Sequence, residues 1–138
     1  MKTTEQKIVE WFLRIALSLG FLSAVADRFG LWGKEVSAWG NWENFIAYTQ
    51  KLNPWAPGSL INIVGGFATL LEILFGIVLL TNFRTSLIAK GAGFLLLIFG
   101  LAMAFSLSVK APLDYSVFAG SAGAFALSLL TKKIDPAR

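Results

Sequence analysis

The sequence predicts an all-α fold: a four-transmembrane-helix bundle with an interfacial amphipathic helix in the first loop. Three observations predict it. The chain of 138 residues is 56% hydrophobic and only 14% charged, whereas a soluble domain carries about 25% charged residues. Its mean hydropathy is +0.67, and a soluble fold this small has too little interior to hide so much apolar surface. The apolar residues also gather into four runs of about 18 to 24 residues, which suits a hydrocarbon core of roughly 30 Å at 1.5 Å per residue. None of these runs alternates apolar and polar residues, which argues against a barrel. Lipid offers no partner to a free backbone group, so helices remain.

The first run covers about residues 8–29. It ends in Ala24-Val25-Ala26 and turns charged at Asp27-Arg28. A signal peptide ends this way at its cleavage site, and so does a spanning helix that meets water. Arg14 splits the run, and Glu5 and Glu10 dilute a positive leader. The expectation is a span that is kept. The loop 30–59 follows, with four of the five tryptophans, Trp32, Trp39, Trp42 and Trp55, and with Tyr48 among them. Trp42, Phe45, Ile46, Thr49 and Leu52 fall at helical spacing; Asn41 can cap the start, and Asn53-Pro54 can end it. A short amphipathic helix on the outer membrane surface fits this pattern. Its aromatic residues serve either as a belt that sets depth or as a lid over a site between the helices. The remaining runs cover about 60–81, 86–109 and 113–130. Thr81 to Thr85 form a short turn, and Lys110-Ala111-Pro112 breaks the chain before the last run. The whole chain, 1–138, reads as a single integral membrane domain.

Charge sets the expected orientation. If all four runs span, one side holds Lys2, Lys7, Arg84, Lys132, Lys133 and Arg138, with Arg14 and Lys90 just inside the helices. The other side holds Arg28, Lys34, Lys51 and Lys110. The positive-inside rule then puts both termini in the cytoplasm and the aromatic loop outside. The same bias explains the formal net charge of +4 and the pI of about 9.6, so no nucleic-acid partner is expected. The chain has no cysteine and no histidine. That excludes thiol chemistry, thiolate metal sites, the usual haem ligand and the commonest general base from its own side chains. No metal site and no covalently held cofactor is expected; the sequence assigns no catalytic residue, and with neither Cys nor His it does not point to catalysis by this chain on its own.

Glu72 sits among Leu70, Leu71, Ile73 and Leu74. A charge at bilayer centre costs at least about 2.5–3.5 kcal/mol, so it normally has a partner or a function. Counting depth from the same side puts Arg14 roughly 9 Å, Lys90 roughly 6 Å and Glu72 roughly 13 Å into their helices. An Arg14–Glu72 pair is therefore expected, with Lys90 as a competing partner. It is either a structural pair, a polar pocket for a quinone, a lipid headgroup or a proton, or a snorkelling Arg14 beside a protonated Glu72. Asp27 and Arg28 read as solvated boundary charges or as caps for the first helix. Asp27, Trp39, Trp42, Tyr48 and Trp55 would form the mouth of such a pocket. Small residues recur every fourth position at Gly100, Ala104 and Ser108 and at Gly120, Ala124 and Ser128. Such faces allow close helix packing in lipid, within the chain or between copies in a homo-oligomer.

Several stretches resemble DoxX-like membrane proteins. They are Trp11-Phe12-Leu13-Arg14-Ile15-Ala16 with Gly20-Phe21-Leu22-Ser23-Ala24, Glu72 with Gly76-Ile77-Val78-Leu79-Leu80, Arg84-Thr85, and Ala111-Pro112-Leu113-Asp114-Tyr115-Ser116. The resemblance implies a four-helix prokaryotic inner-membrane protein that keeps its first helix. It also implies association with redox or oxidative-stress complexes, the family being named for a small subunit of a thiosulfate:quinone oxidoreductase. Arg14 and Glu72 match recurrent positions of that family. The thiol chemistry of its cysteine-bearing members does not carry over. The first expectation for function is thus a small membrane subunit that helps a redox partner protein reach the quinone pool, with a quinone or lipid bound non-covalently. The others are a non-catalytic scaffold or lipid-binding module, and a small proton-coupled carrier using Glu72.

Overall fold

The computed structural model describes residues 1–133, which contain six helices and no strand. They are α1 (Thr4–Arg28), α2 (Trp42–Leu52), α3 (Gly58–Val78), α4 (Thr85–Ser106), α5 (Lys110–Asp114) and α6 (Val117–Leu130). Three of them, α1, α3 and α4, are long and apolar enough to cross a membrane. The chain is a multi-pass, membrane-embedded protein. The apolar α6 has 14 residues, about 21 Å at 1.5 Å per residue, and is shorter than a usual span.

Local chemistry sets the helix ends. Thr3 and Gln6 close a reciprocal capping box at the start of α1. Asn41 accepts the Asn44 N–H and caps α2. The α2 bounds match the amphipathic pattern. The run expected at 113–130 is instead broken. Ser116 takes a left-handed conformation, φ 54°, and separates α5 from α6. The 86–109 run stops as a helix at Ser106, leaving Ser108 and Val109 exposed. Arg138, counted above with the same-side cations, lies outside the described residues.

Burial follows the helical period. On α1 the buried stripe is Glu10, Arg14, Ser18, Phe21, Val25 and Arg28. On α3 it is Ile61, Gly65, Thr69, Glu72 and Phe75–Gly76. Steps of three and four residues place each stripe on one face, and α1 lies against α3. Phe12, Leu19, Phe67, Leu70 and Ile98 point outward, as a lipid surround permits. The core joins Phe21, Phe75, Leu79, Ala89, Ala92, Leu95, Ala124 and Leu127.

The most extensive helix contact is between α4 and α6. Small residues make it close. A Cβ on Gly100 would stand 2.7 Å from the Phe118 ring, so nothing larger than glycine fits there without movement. Ser121 donates to the Gly93 carbonyl at 2.7 Å. Ser86 and Ser128 each donate to the other's carbonyl, at 2.8 and 2.7 Å. Gly100, Ala124 and Ser128 thus pack within the chain, while Ala104 is half-buried and Ser108 is exposed. The bundle has two distinct ends. The loop end carries the α1 C-terminus, α2 and the α3 N-terminus. The turn end carries the chain start and the α3–α4 turn.

Candidate functional site

Each end of the α1–α3 seam holds a buried cluster of charge. At the loop end, one guanidinium nitrogen of Arg28, Nη2, donates to both carboxylate oxygens of Glu72 at 2.9 Å. Arg28 Nη1 donates to the Thr69 hydroxyl at 2.7 Å, and that hydroxyl donates to the Gly65 carbonyl at 2.8 Å. The two charged side chains are only 3% and 2% exposed. The guanidinium carbon lies 3.8 Å from the centre of the Phe45 ring and 5.3 Å from that of Trp39. Aromatic faces attract cations most strongly where water is excluded. Arg28 Nε has no hydrogen-bond partner among the described residues.

Asp27 faces the other way. Its Oδ2 accepts the backbone N–H groups of Ala38 and Trp39 at 2.8 and 2.9 Å, and its Oδ1 accepts the Ser37 hydroxyl. Two neighbouring residues therefore tie the end of α1 to the loop on one side and to α3 on the other. Above Arg28, Trp39 contacts Phe45 and Tyr48, and Trp42 stacks on Phe29. Phe45 and Thr49 are buried, and a Cβ on Gly65 would meet Ile46 Cδ1 at 2.6 Å. The apolar face of α2 is thus seated on α3. Burial, with a smaller effect of Tyr115, pushes the Tyr48 phenol above its usual pKa.

At the turn end, Arg14 Nε and Nη2 donate to Glu10 Oε1 at 3.0 and 2.6 Å. Lys2 donates to the other oxygen of Glu10. Arg14 Nη1 reaches the carbonyls of Leu79 and Thr81 at 3.2 and 2.6 Å. Those carbonyls follow the last turn of α3, where backbone acceptors lack helical partners. Arg14 therefore caps another helix, in the position where the helix dipole favours a cation. The Trp11 ring lies 4.7 Å from its guanidinium carbon.

The expected Arg14–Glu72 pair is not formed; Glu72 takes Arg28 and Arg14 takes Glu10. The physical reason is side-chain direction. Helical side chains tilt toward the N-terminus of their own helix. In the antiparallel α1–α3 pair, Arg28 and Glu72 therefore lean toward one another, whereas Arg14 leans away from Glu72. Depth counted along the backbone misses this tilt. Lys90 is no competing partner. It is exposed on α4 and forms no ion pair among the described residues. Nor are Asp27 and Arg28 solvated; both are buried. Of the residues expected at a pocket mouth, Asp27, Trp39, Trp42 and Tyr48 gather over the Arg28 cluster. Trp55 is 71% exposed and forms none of these ring contacts.

Glu10 had no assigned role inside the bundle, although its position four residues before Arg14 is the usual spacing of a helical ion pair. Arg28 falls on the same stripe of α1 as Arg14, a phase relation visible in the numbering. Among the described residues, no three of His, Cys, Asp or Glu converge on a point that could hold a metal ion.

Fold and clusters together define a multi-pass helical membrane protein in which Glu10 and Glu72 are paired with cations along the α1–α3 seam. Comparison with family models, with curated proteins and with solved structures returned no match.

Proposed function

We propose that this chain is a DoxX-like, non-catalytic module of a prokaryotic plasma membrane that scaffolds a membrane complex and binds lipid. In this reading α5 and α6 complete a fourth crossing beside α4, both termini lie in the cytoplasm, and α2 rests at the outer interface. The observation that carries the functional reading is the enclosure of Glu72. Its two carboxylate oxygens are both engaged by Arg28, and aromatic rings from the loop cover the pair. A carboxylate so placed fixes the loop, α1 and α3 relative to one another. A proton carrier needs the same group to exchange protons with each side in turn. The other buried carboxylate in the bundle seam, Glu10, is likewise engaged by Arg14 and Lys2.

The test is reconstitution into vesicles that trap a pH-sensitive dye. A scaffold leaves proton flux at the level of protein-free vesicles, in the wild type and in Glu72→Gln alike. Flux that depends on the protein and disappears in Glu72→Gln would overturn the reading in favour of a carrier. Because the chain contains no cysteine, single substitutions Thr3→Cys, Lys34→Cys and Lys133→Cys report topology directly. Impermeant thiol reagents should label only the Lys34→Cys variant from outside.

A second reading is a membrane subunit for a quinone-linked redox partner. A groove lined by Trp32 and Trp39 beside α1 favours it. Purification in gentle detergent, with mass spectrometry of retained quinone and partner proteins, separates the two. A quinone retained in fixed ratio together with a redox protein would support this second reading.

A further inference from the structure

The outward face of α1 carries Phe12, Ala16, Leu19 and Gly20, all exposed. Steps of three and four residues continue that face to Ser23 and Asp27. There it runs into a groove of about 430 Å³, walled by Gly20, Ser23 and Ala24 on α1 and by Trp32, Val36 and Trp39 on the loop. The loop wall is held in place. Trp32 Nε1 donates to the Ser23 carbonyl at 3.0 Å, and Asp27 accepts the Ala38 and Trp39 N–H groups. On the α1 side, a Cβ added to Gly20 would meet nothing within 4 Å. The groove is thus continuous with the exposed outward face of α1, small-walled on one side and aromatic on the other.

We infer that this groove is a binding site for a phospholipid, with one acyl chain lying along Gly20 and Ala24 and the glycerol region beside Trp32 and Trp39. Three features point to that occupant. The groove opens onto the exposed face of α1 that includes Phe12 and Leu19, the face a spanning helix would turn to hydrocarbon chains, so a chain would enter without crossing water. Its small residues let a chain approach the helix backbone, which increases dispersion contact. Tryptophan prefers the headgroup level, where an amphipathic ring meets both apolar chain and polar linkage. The site deepens the module reading, since it supplies the lipid that reading calls for. Trp39 also packs over Arg28, so the buried Arg28–Glu72 pair positions one wall of the groove.

The experiment uses the full chain in vesicles of phosphatidylethanolamine and phosphatidylglycerol. These carry a trace of phosphatidylethanolamine with a diazirine in one acyl chain. After illumination and digestion, label is mapped by mass spectrometry. The expected result is enrichment on residues 15–28 over the outward face of α3 around Phe67 and Leu70. Gly20→Leu, whose Cβ would meet nothing within 4 Å and which adds bulk to the groove wall, should reduce label on that segment to the α3 level. Gly66→Leu is the matched control, because a Cβ there also meets nothing within 4 Å; it should leave the enrichment intact. Equal labelling of α1 and α3 in the wild type, or enrichment that survives Gly20→Leu, would overturn the assignment. So would displacement of the label by added short-tail ubiquinone, which would give the groove to a quinone. Proton flux reports on the module and the lipid label on the groove, so the two readings fail separately.

Discussion

The two ends of the α1–α3 seam solve one problem in different ways. At the loop end, Arg28 finds its carboxylate on another helix, 44 residues away in sequence. At the turn end, Arg14 finds its carboxylate one turn back on its own helix. The local pair neutralises charge but says nothing about which helix comes next. That information is carried instead by the Leu79 and Thr81 carbonyls, which Arg14 caps. At the loop end, neutralisation and helix choice are the same contact. Losing Glu72 should therefore cost both at once, while losing Glu10 leaves Arg14 two acceptors just past the end of α3.

The largest effect should come from separating the loop-end pair. Arg28→Leu or Glu72→Leu alone leaves a buried charge without its partner, which costs about 3–5 kcal/mol. The double substitution should recover much of that loss, measured as thermal stability in detergent. A double-mutant cycle sharpens the contrast. Arg28 with Glu72 should show strong coupling, whereas Arg14 with Glu72 should add to within about 0.3–0.5 kcal/mol, as sites with no shared partner do. Strong Arg14–Glu72 coupling would break the comparison.

The next effect should be at Arg14 itself. Arg14→Leu removes contacts to one carboxylate and two carbonyls, and hydrogen bonds to charged groups contribute about 1.5–3 kcal/mol. Glu10→Gln should cost less than Arg14→Leu, because the α3 cap survives. Hydrogen exchange at the end of α3 can separate the two, with faster exchange after Arg14→Leu only.

Asp27→Asn follows, at about 1–2 kcal/mol, since a neutral amide accepts the loop N–H groups less strongly than a carboxylate does. Its signature should be local. Exchange should rise at Ala38 and Trp39 before α3 is affected. Lys90→Gln should be smallest, within about 0.5 kcal/mol, as for an exposed side chain with no ion-pair partner among the described residues.

Much of this arrangement can be read in the residues. The cap at Asn41 and the spacing of Phe45 and Thr49 locate α2. The small residues at Gly100, Ala124 and Ser128 mark close packing. What could not be read was which base meets Glu72, because Arg14 and Arg28 occupy one stripe of α1 and both reach far. The break at Ser116 was also hidden. Serine has no strong preference for the left-handed region, so the residue type at 116 does not announce the φ of 54° that separates α5 from α6.

The sequence by itself determined the medium and the material. Long apolar runs need lipid, backbone polarity within lipid needs helices, and a chain without cysteine or histidine lacks the side chains for thiol or imidazole chemistry. Only the tertiary structure decided the pairings, because they depend on helix direction. Antiparallel α1 and α3 tilt Arg28 and Glu72 toward each other and turn Arg14 to the carbonyls at the end of α3. Distance along a chain cannot express that tilt; two packed helices can.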